Sequence, residues 1–264
     1  MDVSQLIKDI VTFNFRPFKV RFHKVIAIIN RRLFSNNKSN RKINFKNIPI
    51  IINNRNRLTY LKQLINWLEK NGYSNIYIID NNSNYQPLLN YYKTINYKIF
   101  HLSENVGHLS LWKTDIIKQF EKDYYVYTDP DVLPIEECPD NILEHFYNLL
   151  IKYSSIEKVG FALKIDDLPN CYIDKSKVAE WEQKFWNKEI EKDVYDAAID
   201  TTFALYKPFT NGNNYVQNAL RTAGKYQLHH LPWYEDSNNE NEENIFYKKN
   251  IKKGASHWII KNEK

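Results

Sequence analysis

From Ile48 onward, short apolar runs alternate with amphipathic stretches, and this alternation constrains the fold more than any other feature. Ile48 to Ile52 (IPIII) has the length of one strand and is apolar throughout, as a strand buried on both faces requires. A helix is predicted from Thr59, with Leu61, Leu64, Ile65 and Leu68 on one face, Thr59 as its cap and Gly72 at its end. Strands at Asn75–Ile79, Tyr97–Leu102 and Tyr124–Thr128 follow, separated by helices at Gln86–Tyr92 and His108–Phe120. Connections of this length are too long for hairpins. The predicted fold class is therefore α/β, a mostly parallel sheet with helices on both faces.

Open sheets of this kind bind ligands beyond the carboxyl ends of their strands. The polar clusters fall there: NNRNR at 53–57, DNNSN at 80–84, SENVGH at 103–108 and DPD at 129–131. In YYVYTDPDVLP an apolar strand runs into two carboxylates, Asp129 and Asp131, and Pro130 between them disfavours further ladder pairing. Paired hard oxygen ligands suit Mn²⁺ or Mg²⁺. Asp and Pro are also common turn residues, so the pair takes its weight from its position after the fourth alternating strand.

The second half is less periodic. Helices are predicted at Pro139–Ile151, around Val178, Trp181 and Phe185, and over Val216–Gly224. Strands are predicted at Lys158–Ile165 and Ala197–Tyr206. The acidic run 235–244 reads as a loop or a helix start.

Residues 1–47 are set apart as a basic N-terminal segment and linker, with a single domain over 48–264. Ten cations from Arg16 to Lys46 meet no acidic residue, and Phe13, Phe15, Phe18 and Phe22 are interleaved with them. Such a segment either lies against an anionic membrane surface or an acidic partner, or packs as a solvated helix on the main domain. No nucleic-acid-binding motif accompanies it. Two cysteines, Cys138 and Cys171, exclude a disulfide framework, and no apolar run reaches membrane-spanning length. With no signal-peptide layout either, a cytoplasmic or peripheral membrane protein is expected rather than a secreted one.

Taken in order, PIIINNRNRLTYLKQLINWL, IYIIDNNS, ENVGH and TDPDV resemble GT-A glycosyltransferases, in particular bacterial family 2-like enzymes. IDTTFALYKP, LRTAGKYQLHHLPWY and GASHW are similar to later segments of such enzymes. The resemblance covers roughly residues 48 to 260. It implies a Rossmann-like GT-A fold and a metal-dependent enzyme that moves a sugar from a nucleotide-sugar, with UDP-sugars favoured, to a saccharide or other hydroxyl acceptor.

Under that resemblance Asp80 holds the base or ribose of the nucleotide, the other reading being a local Asx-turn with Asn81, Asn82 and Ser83. Arg55 and Arg57 face the diphosphate, and Asn53, Asn105 and Gly107 line the donor. Asp129 and Asp131 hold the metal with a late histidine: His257, with His229 and His230 as competitors. Glu235 and Asp236 resemble a pair that supplies the catalytic base, with Trp233 and Tyr234 stacking on the acceptor. Asp200 is the other candidate carboxylate, because it interrupts an apolar strand.

Two other readings compete. A sugar nucleotidyltransferase shares the fold but needs a Gly-rich phosphate loop, and NNRNR contains no glycine. A noncatalytic protein acting through its basic arm is the third.

Overall fold

The computed structural model describes residues 27, 29–31, 43–210, 212 and 218–250. Its N-terminal half follows the predicted alternation. The strands are β1 (Ile50–Asn54), β2 (Ile76–Asp80), β3 (Lys98–His101) and β4 (Tyr125–Thr128), and all four run parallel in the order β3-β2-β1-β4. Every residue of β1 is buried. Its even positions, Ile50 and Ile52, pack with Leu61, Leu64 and Leu68 of helix α1 (Thr59–Lys70), while Ile51 joins Ile79, Leu111, Tyr125 and Tyr127 on the opposite face. The continuous apolar run thus serves two cores. Each leucine of α1 that is fully buried contributes roughly 1.5–3 kcal/mol.

Gly72 ends α1 as expected, with φ +78°. Thr59 does not cap it. The carboxylate of Glu243, far along the chain, accepts from the backbone N–H of Leu58 at 3.0 Å and of Thr59 at 3.0 Å, and from the Thr59 hydroxyl at 2.8 Å. A full carboxylate at a helix N-terminus satisfies these donors better than the helix's own hydroxyl. Helix α2 (Gln86–Tyr92) lies where it was expected. The helix at 108–120 is instead a single turn, α3 (Ser110–Lys113), and a 3-10 segment at Asp115–Gln119, because Thr114 between them is extended (φ −127°, ψ 165°).

The rest of the sheet is mixed: β5 (Val132–Pro134), β6 (Lys158–Leu163), β7 (Glu189–Glu191), β8 (Val194–Asp196), β9 (Ala204–Tyr206) and β10 (Ala219–His230). The path continues β4-β9-β6-β10-β8-β7, and β5 pairs with β10. Because β9 is antiparallel to both β4 and β6, β6 runs in the direction of β4, and β10 is parallel to β6. The carboxyl ends of β1, β2, β4, β6 and β10 therefore share one edge. Helices α4 (Ile142–Lys152), α5 (Lys175–Gln183) and α6 (Glu242–Lys249) complete the molecule.

The expected helix over Val216–Gly224 is strand β10 in its described part. Ala219 to Ala223 are all buried, as in a central strand covered on both faces, so the polar Arg221 and Thr222 are enclosed along with the apolar residues whose helical spacing suggested a helix. Gly224 (φ +59°) sits where the β6–β10 register shifts, so it relieves a bulge and ends no helix. Of the strand expected over 197–206, only 204–206 pairs; the preceding residues form a loop. Trp181 of α5 is 47% exposed, with Lys184 stacked on its ring, while Val178 alone keeps the expected core position. Among the described residues no helix is long and apolar enough to cross a membrane.

Candidate active site

At the carboxyl ends of β1 and β2 the chain presents polar side chains that its own fold leaves partly unpartnered. Asn53 accepts from the Ser110 hydroxyl at 2.7 Å, and Asn54 donates to the Tyr92 hydroxyl at 2.8 Å. Asp80 is 3% exposed and meets His101 Nδ1 through Oδ2 at 3.3 Å. The loop hydrogen bonds are made by Asn81 instead, which accepts from the Val106 N–H and donates to the Gly107 carbonyl, each at 2.9 Å. Asp80 is therefore free of the Asx-turn role. Asn105 accepts from the Gly107 N–H at 2.9 Å and so shapes the loop, in which Gly107 takes φ +88°.

Asp129 and Asp131 leave the end of β4. The Thr201 hydroxyl donates to Asp129 Oδ2 at 2.5 Å, and the Asp129 N–H donates to the Thr201 carbonyl at 3.0 Å. Burial, then the Asp131 carboxylate, push the Asp129 carboxyl well above its usual range; Thr201 opposes this, and the Asp200 carboxylate adds to it. Two carboxylates that crowd each other in this way are relieved by a hard cation. His230 Nε2 lies 3.8 Å from Asp131 Oδ2, and its ring packs on Trp233 at 4.5 Å. Burial holds His230 below the ordinary histidine value, opposed by Asp131 and reinforced by Arg57. Burial thus favours the neutral imidazole beside Asp131, the form that serves as a metal ligand or a hydrogen-bond donor.

His229, the preceding residue of the strand, points the other way, to Asp167 at 3.2 Å and to the Tyr234 ring at 4.4 Å. His257 lies outside the described residues. Among the described residues no group of three or more His, Cys, Asp or Glu side chains forms a cage for a metal. At the end of β4 the structure brings together two carboxylates, Asp129 and Asp131, and one imidazole, His230.

The arginines are covered by α6. Arg57 is 7% exposed, lies 3.5 Å from the centroid of the Tyr247 ring and 5.1 Å from that of Tyr60, and donates to Asn244 Oδ1. Arg55 donates to the Asn250 carbonyl at 2.9 Å. Glu235 accepts from the Tyr60 hydroxyl and from Asn244, which ties it into the same cluster. Burial and that Glu235 bond raise the Tyr60 phenol. Asp236 is exposed and caps the Asn238 N–H at 2.9 Å. Trp233 is 2% exposed and packed under His230, so it offers no face to an acceptor, and Tyr234 donates to Asp167 at 2.5 Å.

Asp200 differs from its expected setting. It is solvent-exposed in the loop before β9, yet its charge acts on Asp129. The interruption of the apolar run marked a loop rather than a buried strand position. Thr201, Tyr60, Asn244 and Tyr247 also reach the site, and only Thr201 had a local signal, its place beside Asp200. The change from Glu242–Glu243 to Lys248–Lys249 is a helix signature that marks α6 in the sequence, but not where α6 docks.

No protein-family model matches the chain, and no curated protein matches it significantly. Solved structures similar to it include GalNAc-T7 with UDP, GalNAc and Mn²⁺, at 12% identity and TM-score 0.44, over 69% of this chain and 43% of that one. Glucosyl-3-phosphoglycerate synthase from Mycobacterium tuberculosis in complex with phosphoglyceric acid matches at 9% identity and TM-score 0.38, over 66% of this chain and 60% of that one. A cytidylyltransferase from Leptospira borgpetersenii serovar Hardjo-bovis (strain JB197) matches at 15% identity and TM-score 0.33, over 52% and 71%. The chain thus spans 43% and 60% of the length of the first two structures named. The likeness is one of fold alone.

Proposed function

We propose that the chain is a metal-dependent glycosyltransferase that takes a sugar from a nucleoside-diphosphate sugar, a UDP-sugar in the first instance, and passes it to a saccharide or other hydroxyl acceptor. One observation carries this reading. Asn54 Oδ1, Arg55 Nε, Arg57 Nε, Asp80 Oδ1 and His230 Nδ1 are all buried without a hydrogen-bond partner among the described residues, and all belong to segments at the carboxyl edge that also carries Asp129 and Asp131. Native proteins leave few such atoms, and a cluster of them marks a place meant for a polar ligand.

In this reading Asp80 and Asn54 receive the nucleoside, while Asn53, Asn105 and Gly107 form the wall beside it. Asp129 and Asp131, with His230, hold Mn²⁺ or Mg²⁺. When bound, the cation neutralises charge that builds on the departing diphosphate. Arg55 and Arg57 present fixed positive charge to the same phosphates. Asp200, exposed beside Asp129, and the pair Glu235 and Asp236 are the carboxylates available to take the acceptor's proton or to hold sugar hydroxyls. The fixed dipoles and charges are assembled before the donor arrives, so little reorganisation remains for the transfer step.

The experiment is hydrolysis or transfer from a panel of UDP- and GDP-sugars with Mn²⁺, comparing the wild type with Asp131→Ala. Loss of turnover in the variant, with an unchanged melting temperature, is expected. Turnover that survives Asp131→Ala unchanged overturns the metal assignment.

A further inference from the structure

Lys158, the first residue of β6, is 4% exposed, and a buried ammonium must find compensating partners. It takes backbone carbonyls: Nζ donates to the Ile199 oxygen at 2.7 Å and to the Asp200 oxygen at 3.4 Å, with the Tyr206 hydroxyl also at 3.4 Å. On the neighbouring strand β10, Arg221 is equally buried. Its Nε donates to the Ala198 oxygen at 2.6 Å, and its other arm donates to Glu182 at 2.6 Å. Two adjacent strands thus hold three consecutive carbonyls, 198, 199 and 200, with two buried cations. The next residue is Thr201, which grips Asp129 through both its hydroxyl and its carbonyl.

An irregular segment that runs behind a metal pair would ordinarily drift, since a loop has no ladder to hold it. Here the carbonyls are tied to fixed charges, while the buried Thr201 bonds Asp129 and the Asp200 side chain stays exposed. The register supports the pairing: Lys158 lies opposite Ala219 of β10, and Arg221 opposite Gly160 of β6. Gly160 lets β9 pack close against β6 at this point, because a Cβ there would stand 2.4 Å from the Phe203 carbonyl.

We propose that Lys158 and Arg221 form a buried cationic clamp on residues 198–200 that sets the position of Thr201 and Asp200 against Asp129, and so positions the cation-binding end of the donor site. The clamp's catalytic consequence rests on the donor reading above. Both are positioning residues, acting through the loop and touching neither donor nor metal.

The test uses the whole chain with Lys158→Met, which keeps the unbranched shape of the side chain up to its terminal atom and removes the ammonium. Hydrogen exchange followed by mass spectrometry is read without any ligand. Exchange of the Asp129 amide, whose proton Thr201 accepts, and of peptides covering 198–202 is expected to quicken about tenfold, with peptides of β1 and β2 unchanged. Calorimetric titration of UDP with and without Mn²⁺ is then expected to show a 10- to 100-fold weaker Mn²⁺-dependent affinity, roughly the cost of disturbing the groups that orient a metal ligand. The metal-independent affinity for UDP should hold.

Unchanged exchange at Asp129 and 198–202 overturns the clamp, whatever the ligand results. Wild-type binding of Mn²⁺ and UDP that is undiminished in Lys158→Met overturns its role in the site while leaving the donor reading intact. A wild type that binds no Mn²⁺ and UDP overturns the donor reading, and with it the clamp's consequence for catalysis. If Lys158→Met fails to give a cooperative melt, Arg221→Lys, which keeps the charge but loses the donor to Ala198, carries the same comparison.

Discussion

The parallel half, residues 50–128, and the mixed half beyond it place their functional side chains by different means. In the first, each polar residue sits where a strand runs out, and its loop is laced by nearby asparagines such as Asn81 and Asn105. In the second, buried charges do the holding. Lys158 and Arg221 fasten the 198–200 turn, Glu243 caps a helix some 180 positions away, and Arg31 donates to Glu157 and, at 2.9 Å, to Thr210. Local periodicity suffices where a strand end is the address. Where a loop must be held against another loop, strong long-range hydrogen bonds to charged groups replace it.

The carboxylate pair itself carries the largest expected effect. Asp131→Ala should lower donor turnover on the order of 10³-fold, with little change in melting temperature, since it touches neither the alternating core nor the buried charges. A large drop in melting temperature would instead make the pair structural.

Next in size is Glu182→Ala, which leaves Arg221 buried without its carboxylate. It should cost about 3–5 kcal/mol in urea unfolding. Replacing both members with apolar residues (Glu182→Leu with Arg221→Met) should recover most of that stability but not the Mn²⁺-dependent affinity for UDP. Recovery of both would mean that the pair serves packing alone.

Smaller, and specific to the mixed half, is a pH effect. Burial lowers Lys158 from 10.5 to about 8, with Asp200 opposing and Arg221 adding to the shift. Between those values the unfolded chain binds the proton that the folded chain has lost, so this group's contribution to stability rises with pH. Wild type should therefore gain on the order of 2 kcal/mol relative to Lys158→Met between pH 7 and pH 9.5. Parallel stability curves for the two proteins would contradict this.

Smallest is Glu243→Gln, which weakens the distant cap on α1. About 1 kcal/mol should be lost, with faster exchange of the Leu58 and Thr59 amides. Unchanged exchange there would mean that α1 caps itself, as its own Thr59 suggested.

Most of the parallel half was legible in the sequence. The runs at Ile50–Ile52, Ile76–Ile79 and Tyr125–Tyr127 lie within strands, and the polar clusters after β1, β2 and β4 share one edge. The failures have a common physical form. Val216, Ala219, Leu220 and Ala223 read as a helix because they fall at helical spacing, but the polar Arg221 and Thr222 between them are buried as well, bonded to Glu182 and to the Tyr226 carbonyl. The loop at 197–203 read as a strand because its buried residues, Ile199 and Phe203, pack without pairing. Trp233 read as a stacking surface, but its burial beneath His230 depends on a β5–β10 ladder that joins residues nearly a hundred positions apart.

By itself the sequence determined the alternating core and the location of Asp129 and Asp131, because periodicity and the end of an apolar run are local properties that any fold of this class must respect. Only the tertiary structure decided which groups face that pair. His230 and not His229 turns toward Asp131, Thr201 bonds Asp129, and Arg57 lies between Tyr60 and Tyr247. Each of these depends on which way a side chain leaves its strand or on contacts between segments far apart in the chain, and pairing register is not written in local composition.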